Sequence, residues 1–369
     1  MRPSGGGGIV WWCRHERRVN EQQSNDSMKL PFKILLPLAG LALLGALLWL
    51  LVPRAIPSLP PSVPAGSGAS VTLESIQPIQ PLPPLPNLAP DRVALGERLF
   101  RDKRFSADNT LACVSCHDLT RGGVDGKRVS EGIGGARGGI NAPTVFNSGL
   151  SFVQFWDGRA ASLEEQAAGP IHNPAELGSN WAEVLARLGQ DAEIVAAFKQ
   201  AYSDGLTTRN IADAIATFER SLITRNSRFD RYLQGNKAAL TVQEVEGYRL
   251  FRELGCTSCH QGALLGGNMY QKFGVLGNYF AGREPSKADL GRFNVTAREV
   301  DKHVFKVPSL RNIALTAPYF HDGSIDSLAQ AVVIMGRYQL GRELPEQEVE
   351  AIVAFLNSLT GEWQGAPLK

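Results

Sequence analysis

The feature that most constrains this chain is a pentapeptide that occurs twice. Cys113-Val114-Ser115-Cys116-His117 and Cys256-Thr257-Ser258-Cys259-His260 are both C-x-x-C-H. Two thiols at this spacing can add to the vinyl groups of haem, and the following histidine is placed to ligate the iron. A thioredoxin-like redox pair and half of a zinc site share the C-x-x-C spacing. A zinc site would want further Cys or His ligands close by, and neither copy has such a pair. Five cysteines in 369 residues are also too few for a disulfide scaffold. Covalent c-type haem, one per motif, is therefore the expectation.

The repeat extends beyond the motif. Gly96-Glu97-Arg98-Leu99-Phe100 precedes the first copy, and Gly247-Tyr248-Arg249-Leu250-Phe251 the second. Downstream, Pro143-Thr144-Val145-Phe146-Asn147 answers Pro308-Ser309-Leu310-Arg311-Asn312. Phe155-Trp156-Asp157-Gly158 answers Phe320-His321-Asp322-Gly323, and Ser162-Leu163 answers Ser327-Leu328 at the same offset. Each copy closes on a segment with apolar residues at three-to-four spacing, Ile211–Leu222 and Val349–Leu359. The expected fold is all-α: two tandem cytochrome c-like domains, over residues 91–235 and 236–362.

Residues 34–52 carry no charge and are dominated by leucine, enough to span a bilayer. The Lys/Arg excess of segment 1–33 predicts an inside N-terminus and an exported body. A cleaved signal peptide starting at Met28 is the alternative, but Pro53-Arg54 follows instead of a small-x-small site, which favours an uncleaved anchor. Cys13 then lies on the reducing side. Residues 53–90 hold eleven of the 22 prolines and read as a polyproline tether. The formal charge of +2 excludes a strongly basic nucleic-acid binder, and 43% hydrophobic residues exclude wholesale disorder.

The two copies differ in ligands. The second offers Met335, thirteen residues after Asp322, as a thioether for the open face of its iron; a core methionine is the plain alternative. His/Met ligation raises the reduction potential and suits electron transfer. The first copy has no methionine between Cys113 and Met269, and its only other strong ligand is His172. One haem is expected to carry electrons and the other to be open and reactive.

From about Pro86 to Gly361 the chain resembles the bacterial dihaem cytochrome c peroxidases. The resemblance is carried by both C-x-x-C-H motifs, Gly122-Gly123-Val124-Asp125-Gly126, Asn141-Ala142-Pro143-Thr144, Gln154-Phe155-Trp156-Asp157-Gly158-Arg159, Phe305-Lys306-Val307-Pro308-Ser309-Leu310-Arg311-Asn312 and Leu315-Thr316-Ala317-Pro318-Tyr319-Phe320-His321-Asp322-Gly323. It implies a peroxidatic haem on Cys113, Cys116 and His117, and a high-potential haem on Cys256, Cys259 and His260 with Met335 as distal ligand. It implies Glu176 as catalytic acid/base, Gln166 as a polar pocket residue and Trp156 as a stepping stone between the haems. It implies a calcium ion at Asn141, Thr316 and Pro318. Without it, Glu176 reads as a loop carboxylate, Trp156 as core packing, Gln166 as helix surface and Asn141 as a turn residue. His321 aligns with Trp156 and is expected near the domain interface, and His303 reads as structural or solvent-facing.

The implied activity is reduction of hydrogen peroxide to water with electrons from a small cytochrome c or cupredoxin. The implied setting is the periplasm and the implied assembly a homodimer, with residues 34–52 expected to hold the enzyme to the inner membrane. A MauG-type enzyme oxidising a protein substrate is the first rival; that type carries a tyrosine where this chain has Met335, although Tyr338 lies one turn away. A non-enzymatic dihaem electron carrier is the second. One departure from the family stands out. Many members carry a histidine in the loop after the first motif, which blocks the peroxidatic iron. Here Gly132-Ile133-Gly134-Gly135-Ala136-Arg137-Gly138-Gly139-Ile140 holds no His, Met, Lys or Cys. The first haem is expected to be five-coordinate, with His172 as the alternative cap.

Overall fold

The structure is a computed structural model that describes residues 78–369, apart from residue 283. The leader 1–33, the apolar segment 34–52 and the linker as far as residue 77 lie outside the described residues. Among the described residues no helix is long and apolar enough to cross a membrane.

The chain is mostly helical. Eleven α-helices are described, and most start on a chemically evident cap. They are α1 Pro90–Phe100, α2 Cys113–Cys116, α3 Leu163–His172, α4 Trp181–Gly189, α5 Ala192–Ala201, α6 Thr208–Ser221, α7 Arg228–Leu233, α8 Val242–Glu253, α9 Phe293–Thr296, α10 Leu328–Gln339 and α11 Glu346–Asn357. Pro90 opens α1 with its φ already helical and Asp91 in the first turn. The hydroxyl of Thr207 accepts from the Asn210 amide at the start of α6. Thr241 and Glu244 form a reciprocal capping box on α8.

In each half, the first helix crosses the last at a glycine. A Cβ on Gly96 would lie 2.0 Å from the Ala214 carbonyl oxygen of α6. A Cβ on Gly247 would lie 1.8 Å from the Ala351 carbonyl oxygen of α11. Only a residue without a side chain lets the backbones approach so closely. Phe218 and Phe355, one turn on, touch the same two glycines. The sequence repeat is thus a repeat of one helix crossing, and a hydrophobic core surrounds each. Leu95, Leu99, Phe198, Ile215 and Phe218 belong to the first core, and Tyr248, Phe251, Ile352 and Phe355 to the second.

Two features depart from expectation. The fold is not purely helical: β1 (Tyr270–Lys272) pairs antiparallel with β2 (Val304–Lys306), and β3 (Glu362–Trp363) with β4 (Ala366–Pro367). The first ribbon sets Phe305 among Phe273 and Phe280 in a third, aromatic cluster. The proline-rich segment is not a free tether over its described part. Ile79 is 1% exposed and belongs to the second core, and Leu82 is buried beside Ile223 and Leu264. Extended backbone has no internal hydrogen bonds, so it takes partners from outside. The Gly262 amide donates to the Pro78 carbonyl, Arg311 Nη2 to the Gln80 carbonyl, and the Leu82 amide to Asp230 Oδ1. At the other end, Trp363 and Leu368 pack on the first core.

Candidate haem sites

The one-turn helix α2 carries the first motif. Cys113 and Cys116, three apart, fall on the same side of this turn, and His117 leaves it with non-helical backbone angles. His117 Nδ1 lies 3.3 Å from the Gly123 carbonyl oxygen. As donor there, Nδ1 leaves Nε2 as the ligand atom. In the second motif, His260 Nδ1 makes the same contact with the Leu265 carbonyl at 2.9 Å. Burial lowers the pKa of both imidazoles, which keeps them neutral, the form that binds metal. Burial also pushes the Cys113 thiol up to about 12 and the Cys256 thiol up to about 11. A redox C-x-x-C pair needs the opposite, a thiol with a depressed pKa, so that reading fails.

A cavity opens beside the first motif. Cys113, Cys116 and His117 line it, with an apolar wall that includes Phe100, Phe105 and Ile215. Such a lining fits a flat apolar macrocycle held by two thioethers and one imidazole. Gln166 and Glu176 line the same cavity, so the expected pocket residues are brought together with the first motif. Ser162 positions Gln166: its hydroxyl accepts from the Glu165 amide and starts α3, whose residues Gln166, Ala167, Pro170 and Ile171 form the face on the cavity. Asn173 Nδ2 donates to Glu176 Oε1 at 2.7 Å. Burial raises the Glu176 pKa, against the Asn173 bond and the charge of Arg159.

The loop that lacks a ligating side chain packs directly on this carboxylate's backbone. The Ile133 amide donates to the Glu176 carbonyl at 2.9 Å, and a Cβ on Gly132 would lie 2.1 Å from the Ala175 carbonyl oxygen. His172 does not line the cavity; it is exposed, with its ring 6.0 Å from that of Trp181. Ser327 caps α10 as Ser162 caps α3, its hydroxyl accepting from the Gln330 amide. Counted from these two serines, Pro170 and Met335 both stand eight residues in. Pro170, at the place of Met335, lines the first cavity.

Met335 packs in the aromatic cluster of Phe273, Phe280 and Phe305, and Trp156 packs in the same cluster. On the preceding turn of α10, Val332 and Val333 join Cys256 in the second core. Trp156 lies outside the first cavity. Its indole Nε1 donates to the Asn141 carbonyl at 3.0 Å, and its ring meets that of His321 edge-on at 6.4 Å. Asn141 is buried and its side-chain nitrogen donates to the Lys127 carbonyl at 3.0 Å. The Thr316 hydroxyl donates to the Ile313 carbonyl, and Pro318 follows a cis peptide. Asn141 meets their stretch of chain through its amide, which donates to the His321 carbonyl at 2.8 Å. His303 stacks on Phe280 at 4.0 Å, a structural role as expected.

Two features were not found from sequence. Asp289, His321 and Asp322 come within 4.8 Å of one another, with His321 Nε2 2.7 Å from Asp289 Oδ1. Nothing in the spacing joins residues 289 and 321. Glu219 of α6 lies buried on the wall of the first cavity. Its signal was present, as the one acidic position in the apolar stripe of a closing helix.

Known proteins agree with this architecture. The family model described as di-haem cytochrome c peroxidase matches residues 90–238, and that described as cytochrome c matches residues 244–360. The chain is 51% identical over 271 residues to cytochrome c peroxidase Ccp of Escherichia coli K12, a match covering 73% of this chain and 58% of that protein. It is 49% identical over 276 residues to the cytochrome c551 peroxidase of Nitrosomonas europaea, covering 74% and 80%. Among solved structures it resembles a MauG-like protein associated with microbial copper homeostasis, with a TM-score of 0.68, 32% identity and coverage of 78% and 94%. About 50% identity to named peroxidases over some three quarters of the chain, joined to a duplicated fold with a histidine and two thiols on each copy, leaves one assignment: the chain belongs to the bacterial di-haem cytochrome c peroxidase family.

Proposed function

We propose that this chain reduces hydrogen peroxide to two waters at its first haem site, with two electrons delivered through the second. The observation that carries this reading is the first cavity. It joins His117 to Glu176 and Gln166, and its lining holds no second imidazole or thioether. That lining supports a five-coordinate first haem, open to peroxide without prior reduction. Haem, held by Cys113, Cys116 and His117, would supply the redox chemistry.

The residues of the chain handle protons and access. Glu176 would accept a proton from one peroxide oxygen and return it to the other, so that the O–O bond breaks with water as the leaving group. The raised pKa of Glu176 brings its acid and base forms closer in energy, which suits a group that must do both. Gln166 offers an amide to orient the peroxide. Two protons and two electrons per peroxide balance the two waters formed.

Met335 is the proposed second ligand of the haem on Cys256, Cys259 and His260, and Trp156 the proposed relay toward it. Their shared aromatic cluster supports both roles. Tyr338, which a MauG-type enzyme would use in place of Met335, packs edge-on against Tyr279 at 5.3 Å. A pure electron carrier would need a sixth ligand in the first cavity, and the lining offers none. Calcium at Asn141, Thr316 and Pro318 is proposed on the resemblance; the engaged nitrogen of the Asn141 carboxamide leaves its oxygen as the ligand atom. The donor is a small cytochrome c or cupredoxin, and a relative named for cytochrome c551 favours the former. A periplasmic, dimeric enzyme is proposed on the same resemblance, and the uncharged segment 34–52 is its proposed inner-membrane anchor.

Peroxide turnover with reduced cytochrome c tests the reading. Glu176→Gln is expected to lower kcat by about 10²- to 10⁴-fold with both haems attached. Undiminished turnover in that variant would falsify the role of Glu176. A wholly low-spin spectrum of the oxidised protein would refute the open first site.

A further inference from the structure

Glu219 is 5% exposed, lies on α6 and lines the cavity of the first haem motif. Its Oε2 has no hydrogen-bond partner among the described residues. The neighbouring cation does not neutralise it: Arg220 Nη2 turns outward to Glu164 Oε1 at 2.7 Å. From α1 the helix meets Leu95, Leu99 and Phe100, all apolar. Other titratable or charged groups around it are Glu164 on α3, Arg220 on its own helix, Cys113, Cys116 and His117 at the motif, and Glu176 across the cavity.

The internal repeat shows that packing does not require an acid here. Ala214 and Ala351 are equivalent, because each receives the close approach of its half's glycine. Five residues on from each stand Glu219 and Leu356, the latter 4% exposed. The same place in the same crossing takes leucine beside one haem motif and an unpartnered carboxyl beside the other. A carboxyl on this wall, shared with Cys113, Cys116 and His117, would feel the charge of a haem held there across a low-dielectric lining. Oxidised haem, the more positive state, favours the carboxylate; reduced haem favours the acid.

We propose that Glu219 couples electron uptake at the first haem to proton uptake, as a positioning residue that makes that haem's reduction potential pH-dependent and sets it apart from the second. The electron comes from the external donor and goes to the haem; the proton comes from solvent and goes to the Glu219 carboxylate. Burial independently pushes the Glu219 carboxyl up to about 8. The inference rests on haem attachment at Cys113 and Cys116, and not on peroxide chemistry.

Spectroelectrochemical titration of the haem-bearing protein at several pH values from about 6 to about 10, about two units either side of the Glu219 titration, tests it. The first haem's midpoint is expected to fall with rising pH, approaching about 59 mV per unit, the tenfold change in proton activity converted for one electron. In Glu219→Gln and Glu219→Leu that slope is expected to flatten, while the second haem's midpoint stays put. Two variants are used because the leucine also tests the volume that Leu356 fills. An unchanged slope in either variant that retains both haems overturns the proposal. Loss of peroxide turnover with the slope effect intact would instead count against the peroxidase reading alone.

Discussion

Pro170 and Met335 occupy equivalent places, each eight residues beyond the serine that caps its helix. With the ligation proposed above, one domain design would yield two kinds of iron site by a single exchange on one helix. In the second copy the position carries a thioether; in the first it carries a ring that cannot ligate and that lines the cavity. Pro170→Met restores a thioether there. The helix loses nothing by it, since proline is the residue that α3 tolerates least. The expected outcome is conversion of the first haem from high-spin to low-spin in the oxidised absorption spectrum, with peroxide turnover reduced. A persistent high-spin signal would count against the equivalence.

Gly132 controls where Glu176 sits. A Cβ there would meet the Ala175 and Glu176 carbonyl oxygens at 2.1 and 2.7 Å, and backbone cannot yield as a flexible side chain can. Gly132→Ala is expected to push the 175–176 segment aside and, with Glu176 in its proposed role, to cost kcat about 10²-fold, the usual penalty for displacing such a group by an ångström. Steady-state kinetics read this directly, and the haem content should be unchanged.

Trp156→Phe keeps an aromatic ring in the cluster with Met335 but removes the bond to the Asn141 carbonyl. Stability should fall by about 0.5–1.5 kcal/mol, the net value of one such bond. Electron transfer between the haems should slow, as followed by stopped-flow after one-electron reduction. An unaltered rate would leave Trp156 as packing only.

Much of this arrangement was legible in the chain. Gly96 and Gly247 could be matched because a helix crossing that close admits one residue type, and Ser162 and Ser327 because a cap needs a hydroxyl. Glu176 and Gln166 came from family resemblance, and the cavity joins them. What composition hid was tertiary. The prolines of 78–89 suggest a tether, yet Ile79 and Leu82 find apolar partners far along the chain. Glu219 sat in a helical apolar stripe, where one acid reads as helix surface.

The buried Arg311–Asp230 pair is what fixes that docked segment. Its atoms lie 2.8 Å apart, and Arg311 also donates to the carbonyls of Ala263 and Gln80. Arg311→Ala leaves Asp230 as a buried, unpaired charge, at an expected cost of about 3–5 kcal/mol. Denaturant unfolding measures it. A change below about 1 kcal/mol, the value of an exposed pair, would show that the charge finds other compensation.

Glu219 makes a separate prediction about stability. In the unfolded chain its carboxyl ionises near the ordinary value of 4.5; in the folded protein burial holds the proton on until about pH 8. Between those limits the native state binds a proton that the unfolded state has released. Stability from this residue must therefore fall as pH rises, at up to about 1.4 kcal/mol per unit, and level off above the folded value. Glu219→Gln carries no such proton. The variant is expected to gain on the wild type steadily from about pH 5 to pH 8 in denaturant unfolding of the haem-bearing protein. Parallel stability curves for the two proteins over that window would mean that the carboxyl is solvated in the folded state, and that its burial on the cavity wall has no energetic consequence.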